Sequence, residues 1–164
     1  MKAKYVDAHC HIQFEQYAQD DVELIARMRD EGVAGIVVGV NLESSRQAVR
    51  LAGAHEHLFA SVGLHPNNST DELFDTKTIR VLAQHPNVVA IGECGLDYYR
   101  PTEMNDKVKR EQKAILNEQI VLAAELDKPL MIHARPSQGT VDAYTDLIEI
   151  LKEAKIKYPN VRGD

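Results

Sequence analysis

The sequence is short of most features that place a protein quickly. It has two cysteines, Cys10 and Cys94, in 164 residues. That excludes a disulfide-stapled scaffold and a close-spaced cysteine zinc motif. It has no basic excess: 19 Lys and Arg stand against 25 Asp and Glu, a formal net charge of -6. A generic basic nucleic-acid surface is therefore excluded, although a bound cation would supply local positive charge. No apolar run approaches the roughly 18 residues of a membrane span, and the N-terminus is not followed by an apolar signal core. No Gly-x-Gly-x-x-Gly or Gly-x4-Gly-Lys-Ser/Thr loop is present, which removes the common nucleotide-binding signatures. Low-complexity tracts and linker-like composition shifts are missing as well. These absences point to a reduced, cytoplasmic protein without membrane association. Residues 1–164 read as a single domain.

What is present is alternation. Short apolar runs rich in β-branched residues read as strands covered on both faces. They fall at Tyr5–Val6, Gly35–Val40, Leu58–Leu64, Val88–Gly92 and Pro129–Ile132. Between them lie helical stripes. The first runs from Asp20 or Asp21 to Glu31, with Val22, Ile25, Ala26 and Met28 on one face and Gly32 ending it. The second is capped by Asn41 or Ser44 and carries Ala48, Leu51 and Ala52; the third turns Ile79, Leu82 and Ala83 inward. The fourth and longest carries Val108, Ile115, Leu116, Ile120, Ala123 and Leu126. The fifth, Thr140–Lys155, points Val141, Tyr144, Leu147, Ile148 and Leu151 inward. Asn67–Thr70 reads as a turn, and Gly95–Asp106 and Ala134–Gly139 as loops. Tyr158–Val161 reads as the approach to a sixth strand. Five repeats of strand, loop and helix imply parallel β/α units.

Polar residues choose between an open sheet and a barrel. His9 and His11 share one face of an extended chain, with Cys10 on the other. Neutral imidazole binds zinc and related ions well. His9, His11, His65, Glu93 and His133 all fall at C-terminal strand ends of four different units. Barrel enzymes place their chemistry there, whereas an open sheet concentrates it at a switch point. The expected fold class is α/β, of the (β/α) TIM-barrel type, covering about five units.

Four stretches carry a resemblance. They are Val6-Asp7-Ala8-His9-Cys10-His11, Val62-Gly63-Leu64-His65-Pro66, Ile91-Gly92-Glu93-Cys94-Gly95-Leu96-Asp97-Tyr98-Tyr99-Arg100 and Ile132-His133-Ala134-Arg135. In this order the chain resembles the TatD-like metal-dependent hydrolases of the amidohydrolase superfamily. The resemblance implies a (β/α)8 barrel, divalent metals (Zn, Mg or Mn) and phosphodiester cleavage, often of DNA from an end. Position by position, His9 and His11 match ligands of a first metal, Glu93 the catalytic carboxylate bridging both metals, and His133 a ligand of the second. His65, Asp97 and Arg135 match polar positions around the substrate.

Family members continue through strands six to eight, where they carry a further ligand histidine and an aspartate. Neither has a counterpart before Asp164. The chain alone is therefore expected to bind at most one metal well, where a complete member binds two, and to hydrolyse little. Its expected partner is DNA or a small phosphodiester, with self-association through open barrel edges. Two other readings follow from the same residues: an amidohydrolase acting on a small cyclic amide or ester, and a non-catalytic half-barrel that binds metal or assembles. Arg100, His55, His57 and His85 read as surface or capping residues, and the two cysteines as core.

Overall fold

The structure is a computed structural model that describes residues 3–68, 73–101 and 104–163. Five strands form one parallel sheet: β1 (Tyr5–Cys10), β2 (Val33–Val38), β3 (Leu58–Val62), β4 (Val88–Asp97) and β5 (Leu130–Arg135). Five helices follow them: α1 (Asp21–Glu31), α2 (Leu42–Ala54), α3 (Thr76–Ala83), α4 (Asp106–Glu125) and α5 (Asp142–Lys157). The strand order is β1-β2-β3-β4-β5. Each strand lies beside its sequence neighbour, with no switch point where the order reverses. That is the arrangement of a barrel wall, not of a doubly wound sheet.

Local sequence sets several of the helix limits, although Asp20 makes no side-chain cap bond at the start of α1. Asn41 and Ser44 form a reciprocal capping box at the start of α2, and Asn105 Oδ1 accepts from Lys107 and Val108 N–H at the start of α4. Gly32 ends α1 in the left-handed region at φ 78°. The core gathers Val37, Leu58, Ala60, Val62, Ile91, Leu96, Leu116 and Ile120, all buried. Cys10 donates its thiol to Ile36 O at 3.2 Å, and Cys94 is fully buried. Burial pushes their thiols up, to about 11 and about 12.

Several boundaries and two helix faces differ from the sequence reading; β2, for one, spans Val33–Val38 and stops short of Val40, and α5 spans Asp142–Lys157. The strand β4 runs on to Asp97, because pairing with β5 continues to Asp97↔Arg135. Gly92 and Gly95 thus lie inside a strand, not at its end. Similarly β5 extends through His133 to Arg135, while β3 stops at Val62. Helix α5 buries Ala143, Leu147 and Ala154 and leaves Val141, Tyr144 and Ile148 exposed. Its small residues approach the sheet, and Ile148 instead faces the open side of β5 with Leu130, Leu151 and Val161. Val22 on α1 is also exposed. After α5 the chain returns to β5, where Leu130 bridges Gly163 in parallel, as the Tyr158–Val161 approach implied. The turn expected at Asn67–Thr70 lies partly outside the described residues; its first part is a 3₁₀ turn, Pro66–Asn68. Among the described residues no helix is long and apolar enough to cross a membrane.

Candidate metal centre

Register shifts mark two of the strands that carry the centre, β1 and β4. Between Asp7 and Cys10, β1 holds one more residue than its partner segment on β2. Between Ile91 and Cys94, β4 does the same against β5. Such irregularities re-aim side chains, and here they fall on His9 and Glu93. Gly92 and Gly95 adopt φ of 143° and 141°. A Cβ at Gly95 would run into the His133 carbonyl oxygen, and one at Gly92 into that of Met131. Only glycine allows the backbones to approach so closely.

The carboxylate of Glu93 stands between two imidazole pairs. Its Oε2 lies 3.4 Å from His9 Nε2 and 4.0 Å from His11 Nε2. Its Oε1 lies 3.3 Å from His133 Nδ1 and 3.8 Å from His65 Nε2. His9 Nε2 and His11 Nε2 are 3.2 Å apart. These residues line a cavity of about 370 Å³ with Phe14, Val40, Asn67, Asn68 and Arg100.

Hydrogen bonds to the far ring nitrogens determine what each imidazole offers. His11 Nδ1 lies 3.0 Å from Val38 O. A carbonyl only accepts, so Nδ1 carries the proton and Nε2 presents a lone pair to the cavity. Phe14 stacks on this ring at 4.5 Å and 9°. His133 Nε2 lies 3.0 Å from Asp97 Oδ2, which turns Nδ1 toward Glu93. His65 is the opposite case. Its Nδ1 accepts from Asn67 N–H at 3.1 Å, so the neutral ring presents Nε2–H.

Burial, electrostatics and hydrogen bonding shape the charges. Burial pushes the Glu93 carboxyl up, but His133, His65 and His9 outweigh it and hold it below the ordinary carboxylate range. Burial pulls His11 down, and His65 down to about 4. The result is a cluster of neighbouring lone pairs around a carboxylate. Lone pairs this close need a cation between them, whether proton or metal. Nitrogen and oxygen ligands in this number suit a divalent ion. Among the described residues two groups have ligand atoms within 4.8 Å of one another: His9, His11 and Glu93, and His65, Asp97 and His133. The first is open. The second is largely satisfied by its own hydrogen bonds, since Asp97 also accepts from Tyr99 and Arg100 N–H.

His9, His11, His65, Glu93 and His133 thus converge. Asp97 sits behind His133 with its side chain fully buried, out of direct reach of a substrate. Arg135 stacks over Tyr99 at 4.0 Å and does not line the cavity. Arg100 does line it, against the surface reading. His57 is buried and bonded to Ile25 O, a core residue and not a surface or capping one.

Two residues that sequence reasoning passed over hold the strand ends in place. Gln119 Oε1 accepts from Leu64 N–H and its Nε2 donates to Leu64 O, both at 2.9 Å. Gln112 Oε1 accepts from Asp97 N–H at 2.9 Å, and its Nε2 donates to Asp97 O at 3.0 Å. Both glutamines are buried on α4. Each satisfies both backbone groups of one residue where β3 and β4 part company. Their signal was a pair of polar residues seven positions apart on the apolar stripe of α4.

Comparison with known proteins gives the chain's family. The family model described as TatD related DNase matches residues 6–162. A curated relative from Klebsiella pneumoniae (strain 342), the 3'-5' ssDNA/RNA exonuclease TatD, is 36% identical over 155 residues, covering 93% of this chain and 55% of its own. The uncharacterized metal-dependent hydrolase YabD of Bacillus subtilis (strain 168) is 37% identical over 149 residues, covering 90% of this chain and 54% of its own. The crystal structure of YjjV, a TatD homolog from Escherichia coli K12, superposes with a TM-score of 0.78 at 27% identity, over 96% of this chain and 58% of that one. The chain spans about half the length of the curated relatives it matches. With the family model matched almost end to end, this chain belongs to the TatD related DNase family.

Proposed function

We propose that this chain forms the metal-binding half of a divalent-metal-dependent phosphodiesterase acting on single-stranded nucleic acid. Residues 1–164 are read as one domain supplying five units of a larger (β/α) barrel. His9, His11 and Glu93 would hold one ion, and His133 would serve a second that needs ligands from beyond these units. A bound divalent cation would neutralise phosphate charge and bring the pKa of water toward neutrality.

The protein's own groups have separate parts in this reading. Glu93, held deprotonated by its histidines, accepts a proton from water. His65 offers Nε2–H to an oxyanion. Asp97 orients His133 from behind, and Gln112 and Gln119 keep the strand ends apart. The free thiols of half-buried Cys10 and buried Cys94 fit a reduced compartment such as the cytoplasm.

One observation carries the reading: a single carboxylate, that of Glu93, lies within 4.0 Å of four imidazoles on three other strand ends. Calorimetric titration of EDTA-stripped protein with zinc or manganese tests it. One tight equivalent is expected, lost in His9→Ala and in Glu93→Gln. Absence of binding would overturn the metal reading, and two tight equivalents in a monomer would overturn the division into one complete and one incomplete site.

A further inference from the structure

The cavity has two chemically different walls. His9, His11 and Glu93 present acceptors, which suit a cation. On another side stands Arg100, the only permanently cationic residue among the described residues that line the cavity. We propose that Arg100 is an anion-binding residue that holds a phosphoryl oxygen beside the metal centre. The proposal rests on the phosphodiesterase reading above.

Three observations support it. First, Arg100 is anchored from below. Its backbone N–H donates to Asp97 Oδ1 at 2.9 Å, and its Nε lies 3.8 Å from Asp97 Oδ2. The inner edge of the guanidinium therefore faces a buried carboxylate. The side chain is nonetheless 53% exposed, so a ligand can reach it. Second, its charge is not used up. Asp97 is its one carboxylate partner among the described residues, and that carboxylate already receives His133 and two backbone N–H groups. Other arginines differ: Arg80 pairs with Glu125, Arg162 with Asp127 and Arg29 with Asp30. Arg135 stacks over Tyr99 outside the cavity. Third, a second donor faces the same cavity. His65 accepts at Nδ1 from Asn67 and so directs Nε2–H inward.

A planar guanidinium fork matches phosphoryl oxygens, and each charge-assisted hydrogen bond outweighs a neutral one. Donors on one wall and acceptors on the other suit a cation and an anion held together. Phosphate oxygen is such an anion, whether it comes from inorganic phosphate or from a nucleic-acid backbone.

The test measures the binding of inorganic phosphate, and separately of a single-stranded oligothymidylate, with and without manganese. Wild type is compared with Arg100→Ala and Arg100→Lys. Arg100→Ala should weaken phosphate binding about tenfold or more, and Arg100→Lys should recover part of it. The manganese dissociation constant should stay the same, because Arg100 is no ligand. Thermal unfolding checks that the exposed substitution leaves the fold intact. Unchanged phosphate affinity in Arg100→Ala overturns the proposal. So does loss of oligothymidylate binding alone, which would put the contact outside the cavity. Failure of wild type to bind manganese sinks the metal reading instead, and the metal-free phosphate arm still reads Arg100.

Discussion

His133 Nε2 lies 3.0 Å from Asp97 Oδ2, and this contact fixes which ring nitrogen faces Glu93. Asp97 has no exposed side-chain surface; its two oxygens receive Tyr99 N–H, Arg100 N–H and His133, with the Arg100 guanidinium beside them. Partners behind a ligand histidine set its tautomer and commonly govern affinity tenfold or more.

Substituting Asp97 should separate its two tasks. Asp97→Ala leaves three donors without their acceptor and should cost about 3 kcal/mol of stability. Asp97→Asn keeps an oxygen for Tyr99 and Arg100 and should cost about 1 kcal/mol. Its amide would donate to His133 Nε2 and move the ring proton to Nδ1. Urea unfolding measures the first effect and imidazole ¹⁵N spectra the second. An unchanged His133 spectrum in Asp97→Asn would remove the orienting role.

Gln119→Leu and Gln112→Leu should each destabilise by about 1–3 kcal/mol. Leucine fits by size, but it removes the amide that satisfies the backbone N–H and C=O of Leu64 or of Asp97. Neither side chain touches solvent, so a surface role would predict no effect. Denaturant midpoints that match wild type in both variants would rule out the clamp.

The metal-free protein should lose stability in mild acid. Burial holds His65 down, from 6.5 to about 4. The unfolded chain therefore binds more protons across that window, and stability falls as pH falls through it. For His65 alone the loss is at most about 3 kcal/mol. The net depression of His11, Glu93 and Asp97 acts with the same sign. For the two carboxylates, stability is present above their unfolded values and is lost as pH falls through the folded ones. Thermal unfolding in EDTA from about pH 7 to about pH 4 should show a steady fall in Tm; a flat profile would contradict the buried neutral state of His65.

Self-association is expected at the sheet edges. The strand β1 pairs with β2 alone, and Tyr5 and Val6 on it are 69% and 63% exposed. Exposed apolar edges recruit further strands. Light scattering should show a dimer or larger species, reduced in Val6→Lys. A monomer at all working concentrations would exclude this.

Much of this site was legible from residue types alone. A histidine or glutamate that ends a β-branched run is conspicuous, and five such residues do meet in the cavity. The alternation gave parallel units, and the same polar strand ends chose the barrel with its sequential strand order. What stayed hidden depended on backbone pairing. Gly92 and Gly95 read as the end of β4 because glycine usually interrupts a strand, yet here it admits the close approach of β5. Gln112 and Gln119 drew no notice because glutamine usually lies on the surface. The face of α5 went astray because large apolar residues outweighed Ala143 and Ala154 in the pattern. Asp97 gave no hint that it lies behind His133, since the two are joined only when β4 and β5 pair.

The contact between position 95 and the His133 carbonyl has an evolutionary corollary. Even alanine would push β5 away, so the pairing of β4 with β5 requires position 95 to carry no Cβ. Copies of this gene released from the need for the cavity should drift there early. Copies that still use it should keep glycine, even where the surrounding surface has been rewritten. Reading that one codon across descendants would sort working centres from relics before any protein is made.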